Sequence, residues 1–399
     1  MPVTMRNIEQ PGHALVFGAS GINGWAFVNT ILSDYPTPDS FDRVTAFTNR
    51  PLSAEAAQWP RSNKLHLVSG LDLINNDKEA LERELAQKVP QVGRVTALYF
   101  CAYVMDINPD REIALNINML RKTILAIEKL SPSLRVVALP TGVKAYGVHM
   151  LDKFPFKDNL PLKETHPPIP EPQRSQLFYT HQWDLLKSLS QGKQWTYFDS
   201  RPDVIIGFVP NNSAHNLAQW VALYLSLYRK IYGEGAEVVF PGTKSWTILS
   251  NDSCQDTIAR FTIYASLHPE VSAGKSLNCS DHSQPTSWSV KWPILCEYFG
   301  LKGVAPTNGP GPDPAKFLHE HQEEWAAMEK EYGLQTGHLI GDKTSLPHVS
   351  YFLMSQFDFD RQVDLTEMHR VWGEATEERD IKGAWYIAFD RFRKANIIP

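Results

Sequence analysis

Gly18-Ala19-Ser20-Gly21-Ile22-Asn23-Gly24 follows directly on the apolar run His13-Ala14-Leu15-Val16-Phe17. A buried strand, a tight glycine turn and then a helix is the local structure that holds a pyrophosphate. The glycines let the backbone approach the phosphates, and the helix N-terminus supplies free N–H groups and a favourable dipole. The glycine spacing is G-x-x-G-x-x-G rather than G-x-G-x-x-G.

Outward from this turn, short apolar runs alternate with helical periodicity. Strands are expected at 15–17, 43–48, 65–68, 96–102, 134–139 and 203–207, with helices at 25–32 and 112–127. Six strands with helices between them make an α/β fold, a Rossmann-type doubly wound parallel sheet. A Pro-rich stretch, 154–172, contains His166-Pro167-Pro168-Ile169-Pro170-Glu171-Pro172 and reads as a surface loop on an active-site rim. Beyond it, helical patterns at 218–232, 255–267, 290–299 and 315–332 alternate with short strands such as 238–240. The expected organisation is a dinucleotide-binding domain over 1–210 and a smaller, mostly helical C-terminal substrate lobe over 211–399, some segments of which return to the first domain.

The chain has 399 residues, 43% hydrophobic and 21% charged, which is ordinary for a soluble globular protein. A net charge of -5 gives no reason to expect nucleic acid or a membrane surface. The opening Met1–Asn7 segment lacks the apolar core of a signal peptide, and the apolar stretch 217–228 is too short to span a bilayer. Cys101, Cys254, Cys279 and Cys296 lie far apart without a CxxC pair, as reduced thiols of a cytoplasmic protein do. No metal site is expected. His319-Glu320-His321 places its histidines two apart, on different sides of a helix, so it reads as a solvated face. The stripe Trp220, Tyr224, Tyr228 reads as lobe core or pocket wall.

At the end of the second strand stand Thr48-Asn49-Arg50, where an NAD-binding protein usually carries an acidic residue. A guanidinium matches a 2′-phosphate with bidentate, charge-assisted bonds, which favours NADP(H) over a solvated loop arginine. Asp72, after the third strand, either accepts a bond from the adenine amino group or caps a turn or helix. Hydride transfer to a carbonyl or enone needs a donor at the oxygen that gains charge, and a tyrosine beside a lysine serves. The cation would lower the phenol's pKa and hold the nicotinamide ribose. The sole Tyr-x-x-x-Lys match, Tyr298 to Lys302, falls at the end of a lobe helix, too late for this role. Tyr179 is followed at the fourth place by Trp183, but Lys144 stands at the mouth of the fifth strand, in Thr141-Gly142-Val143-Lys144-Ala145-Tyr146. The pair can meet there, or serve as a loop lysine and a packing aromatic.

These segments resemble the progesterone 5β-reductase/iridoid synthase-like family, a branch of the extended short-chain dehydrogenases, to which the glycine spacing also points. Its T-G-x-K-x-Y and F-Y-Y-x-x-E-D motifs correspond to Thr141–Tyr146 and Phe178–Asp184. The similarity continues through Asn116–Arg121, Arg201–Phe208, Phe240–Gly242, Leu277–Ser280 and Ala395–Pro399. The resemblance implies NADPH-dependent 1,4-reduction of an enone or enal in a hydrophobic small molecule. Tyr179 would hold the enolate oxygen and Lys144 would assist. Implied cofactor contacts are Gly18, Ser20, Gly21, Ile22, Asn23, Asn49, Arg50, Asp72, Leu73, Ala102, Tyr103, Pro140, Tyr179, Ile205, Asn212, Ser213 and Ala214. Departures from the family fall at Pro140, Thr180, Trp183 and Ala102-Tyr103, which lacks the family's tryptophan. Ketone or imine reduction, or a non-redox NADP-binding protein, stand as alternatives, and a homodimer is admitted.

Overall fold

The structure is a computed structural model that describes residues 11–211, 216–335, 337 and 347–399. β1 (Gly12–Phe17) lies between β2 (Phe41–Thr48) and β4 (Val95–Phe100), parallel to both, with Val16 opposite Ala46 and Tyr99. β3 (Leu65–Ser69) closes one edge beside β2. On the other side β5 (Val136–Pro140) and β6 (Thr196–Pro202) follow β4, and a strand from the second half of the chain, Ser276–Cys279, completes the edge. All seven strands are parallel. The order reverses at β1, the switch point where such sheets open a crevice.

Side chains alternate between two buried faces, as strands covered by helices on both sides require. Ala14, Val16, Ala46, Tyr99, Ala138 and Phe198 face one core. Leu15, Phe17, Phe47, Leu98, Phe100, Val137 and Leu139 face the other. The first core is covered by α1 (Ile22–Leu32) and α6 (Gln255–Leu267), which pack against each other. The second is covered by α2 (Lys78–Lys88), α3 (Pro109–Leu130) and α4 (Phe178–Leu189). α5 (Leu217–Tyr232) lies in the second half of the chain, among shorter helices.

The expected sixth strand at 203–207 is displaced. β6 ends at Pro202, and only Ile205–Ile206 pairs beyond it, in a separate two-stranded ladder with Ser253–Cys254. The reason is a polar strand interior. Asp199, Ser200 and Arg201 interrupt any apolar run, yet Asp199 and Ser200 are almost wholly buried, with Asp199 Oδ1 and Ser200 Oγ unpartnered among the described residues. Thr141 Oγ1 and Arg201 Nε both donate to Asp199 Oδ2, at 2.7 and 2.8 Å. The expected helix at 315–332 is broken at His321 into Pro314–Glu320 and Gln322–Tyr332. Closing the chain, Ile381–Lys394 packs on α5 and on the helix Trp288–Tyr298.

Candidate active site

A cavity of about 520 Å³ opens along the carboxyl ends of β1 to β6. Its floor at β1 is the glycine turn. Gly18 has φ +80°, and a Cβ there would meet the Cys101 carbonyl at 2.7 Å. A Cβ at Gly24 would meet the Gly18 carbonyl oxygen at 2.2 Å, so both positions exclude any side chain. Gly21 is the N-cap of α1 and offers no side-chain cap, and the first turn carries no acidic residue. The first intrahelical bond runs from Trp25 N–H to Gly21 O, which leaves the preceding N–H groups without helical partners. Asn23 Oδ1, buried at this turn, has no partner among the described residues. Free N–H groups at a helix N-terminus, with no acidic residue in the first turn, fit a dinucleotide pyrophosphate.

Toward β2 and β3 the cavity is lined by Thr48, Asn49, Leu71, Asp72, Leu73 and Ile74. Asn49 and Arg50 form the bend after β2, both exposed. The bend is fixed from below: Thr48 Oγ1 donates to the Arg50 carbonyl at 2.7 Å and lies within hydrogen-bond distance of Ser69 Oγ, at 3.0 Å. Arg50 lies next to the lining rather than in it. Asp72 holds its own turn, accepting from the N–H groups of Ile74 and Asn75 at 2.8 and 2.9 Å and from the Asn75 amide at 2.7 Å. These bonds, with the Asn75 backbone first, hold its carboxyl below the usual range. Asp72 therefore caps a turn and lines the cavity at once.

At the far end the Thr141–Tyr146 turn brings in Lys144. The turn is pinned at both ends: Thr141 by its bond to Asp199, and Tyr146 by its hydroxyl, which donates to Asn278 Oδ1 at 2.7 Å. Tyr179 stands in the first turn of α4. Its hydroxyl would lie 3.7 Å from a Cβ at Gly142, which brings the tyrosine to the same turn that carries the lysine. Lys144 and Tyr179 both line the cavity, and neither side chain makes a hydrogen bond to a described residue. Lys144 keeps an open surface, but that surface belongs to the cavity, and desolvation lowers its pKa despite the opposing pull of Glu112. Burial pushes the Tyr179 phenol up, with the Glu112 and Asp199 carboxylates adding to the rise. The expected lowering of the phenol by the lysine is thus not what this geometry produces. Tyr179 remains a neutral hydrogen-bond donor at neutral pH.

Tyr103 stands where the family's tryptophan is missing. It stacks on Phe178, with centroids 5.1 Å apart, and Phe178 in turn meets Tyr179 edge-on at 4.4 Å. The Tyr103 hydroxyl donates to Glu112 Oε1 at 2.5 Å. Asn116 clasps the same loop, bonding the N–H and the carbonyl of Val104 at 3.0 and 2.8 Å.

The lining gathers Gly18, Ser20, Gly21, Ile22, Asn23, Asn49, Asp72, Leu73, Ala102, Tyr103, Pro140, Lys144, Tyr179 and Ile205. Asn212, Ser213 and Ala214 lie outside the described residues. Reading the sequence missed Gln182 and the apolar wall of Val148, Leu353 and Phe357. Gln182 was visible in principle, three residues after Tyr179 and on the same helix face. Leu353 and Phe357 carry no motif and reach the site only through tertiary folding. Among the described residues no group of His, Cys, Asp and Glu can hold a metal, and no helix is long and apolar enough to cross a membrane.

Residues 14–399 match the PRISE-like Rossmann-fold domain. The short chain dehydrogenase ausT of Aspergillus calidoustus is 34% identical over 97% of this chain and 94% of its own. The 3-oxo-Delta(4,5)-steroid 5-beta-reductase of Arabidopsis thaliana is 27% identical over 81% of this chain and 78% of its own. Among solved structures, the epimerase Mth375 of Methanothermobacter thermautotrophicus superposes with a TM-score of 0.63, covering 96% of this chain and 93% of its own at 12% identity.

Proposed function

Since the chain belongs to the PRISE-like Rossmann-fold family and is an oxidoreductase of the short-chain type, we propose that it reduces an activated C=C bond of a hydrophobic small molecule with NADPH. One observation carries this reading: Lys144 and Tyr179 line the same cavity as the glycine cradle, and neither side chain makes a hydrogen bond to a described residue. A bound reduced nicotinamide would supply the hydride. Gly18 to Asn23 and the N-terminus of α1 would hold its pyrophosphate, Leu73 and Asp72 would border its adenosine, and Arg50 would take its 2′-phosphate. Tyr179 would donate its neutral hydroxyl to the oxygen that becomes the enolate, which is where negative charge grows during 1,4-reduction. The Lys144 ammonium would steady that charge and the adjoining ribose. The apolar wall of Val148, Phe178, Leu353 and Phe357 would accept a hydrophobic substrate and exclude water. The relative in Arabidopsis supports the choice, since its name describes a C=C bond conjugated to a ketone being reduced.

NADPH oxidation measured against matched enones, enals, ketones and imines tests the reading. Turnover of the enones or enals with the ketones inert is the expected result. Turnover confined to ketones or imines replaces the C=C assignment, and tight NADPH binding with no turnover of any class replaces the redox assignment. Tyr179→Phe should lower kcat by about tenfold or more while NADPH affinity stays within twofold. An unchanged kcat removes the tyrosine from its role.

A further inference from the structure

α4 places Gln182 one helical turn beyond Tyr179, on the side that faces the cavity. The residue is 3% exposed, and its carboxamide makes no hydrogen bond to any described residue. A primary amide that lines a cavity and has no protein partner there stands open to a ligand that can both donate and accept. The position after it is turned elsewhere: Trp183 packs edge-on against Tyr197 at 4.9 Å, on the core side of the sheet. In a Tyr-x-x-x-Lys helix that fourth place would carry the lysine that holds the nicotinamide ribose. Here the cation comes from the β5 turn instead, and the helix presents an amide at the third place.

We propose that Gln182 is a binding residue for the ribose that joins the nicotinamide to the pyrophosphate, an inference that rests on the proposed dinucleotide binding. The chemistry of the group selects the ligand. A carboxamide offers Nε2–H donors and an Oε1 acceptor side by side, so it can donate to one hydroxyl oxygen of a vicinal diol while accepting from the other. Against a phosphate or carboxylate, Oε1 would face negative charge with no proton to accept. In a dinucleotide held by the Gly18–Gly24 cradle with its nicotinamide at Tyr179, the nicotinamide ribose is the diol that would lie between them. Gln182 is thus a second contribution of α4, beside Tyr179, to a ribose site that Lys144 borders from the β5 turn.

The test is equilibrium binding, followed by intrinsic tryptophan fluorescence, of NADPH and of adenosine 2′,5′-bisphosphate, which lacks this ribose. Gln182→Leu should weaken NADPH about tenfold, the scale of one or two lost hydrogen bonds. It should leave the bisphosphate within twofold. Gln182→Met, closer in length and equally unable to bond, should reproduce the result if the leucine variant folds poorly. Unchanged NADPH affinity, or equal weakening of both ligands, overturns the assignment while leaving the dinucleotide reading intact. Failure of the unaltered protein to bind NADPH overturns both.

Discussion

Arg50 is exposed beside the cavity, and its backbone is fixed by the Thr48 hydroxyl. By the proposed assignment, a guanidinium placed this way would discriminate between two dinucleotides that differ by one phosphate, because a charge-assisted contact would form with one and not the other. Arg50→Ala should raise the Kd for NADPH about tenfold or more and leave that for NADH within threefold. Equal loss for both would end the 2′-phosphate assignment. Single residues of this kind were legible in the chain to different degrees. The cradle glycines announce themselves because no other residue type fits their backbone. Asp72 admitted two readings, cap or ligand, and the structure shows that its carboxylate is occupied by Ile74 and Asn75. The identity of Gln182 is visible in the chain, but its lack of a partner is a property of the folded site.

β1 shows how one element couples site and stability. The strand buries His13, whose Nε2 lies 2.9 Å from Thr45 Oγ1 on β2. Burial, reinforced by the Arg43 charge, lowers its pKa from 6.5 to about 4. The unfolded chain takes up a proton near pH 6.5 and the folded chain does not until near pH 4, so the strand's contribution is complete at neutral pH and drains away as the pH falls through that window. The loss is on the order of 3 kcal/mol. Chemical denaturation at pH 7 and at pH 4.5 should show His13→Gln with a markedly shallower acid loss than the unaltered protein; parallel losses would show that His13 stays uncoupled. Apolar strands such as β1, β2 and β4 could be read directly, because alternate residues enter two cores. β6 could not, because its buried side chains are polar, and Asp199 is held by Thr141, a residue 58 positions away.

Across the whole molecule, the two halves of the chain are interlocked. Arg361 lies 4% exposed, with Nε 3.0 Å from the buried Asp203 carboxylate just past the end of β6. Asp203 lines the cavity, so this pair ties the C-terminal segment to the site's floor. Removing one partner strands the other charge in the interior, and Arg361→Ala should cost about 3–5 kcal/mol of unfolding free energy, read as a lowered denaturation midpoint. Asp203→Asn with Arg361→Met should recover much of that loss, since neither charge remains to be compensated; a double variant as weak as the single would show that the arginine acts through packing instead.

The strand Ser276–Cys279 seals the sheet edge beside β6. This placement sets the rule for recombining the protein with its relatives. A chimera spliced near residue 210, between β6 and that edge strand, would import a foreign edge strand along with the foreign pocket wall, and would ask β6 to zip to a sequence it did not evolve beside. A crossover after Cys279 keeps the native sheet whole and exchanges only the C-terminal remainder of the chain, the Leu353 and Phe357 wall included. A graft meant to carry substrate preference with that wall would have to be cut inside the second half of the chain.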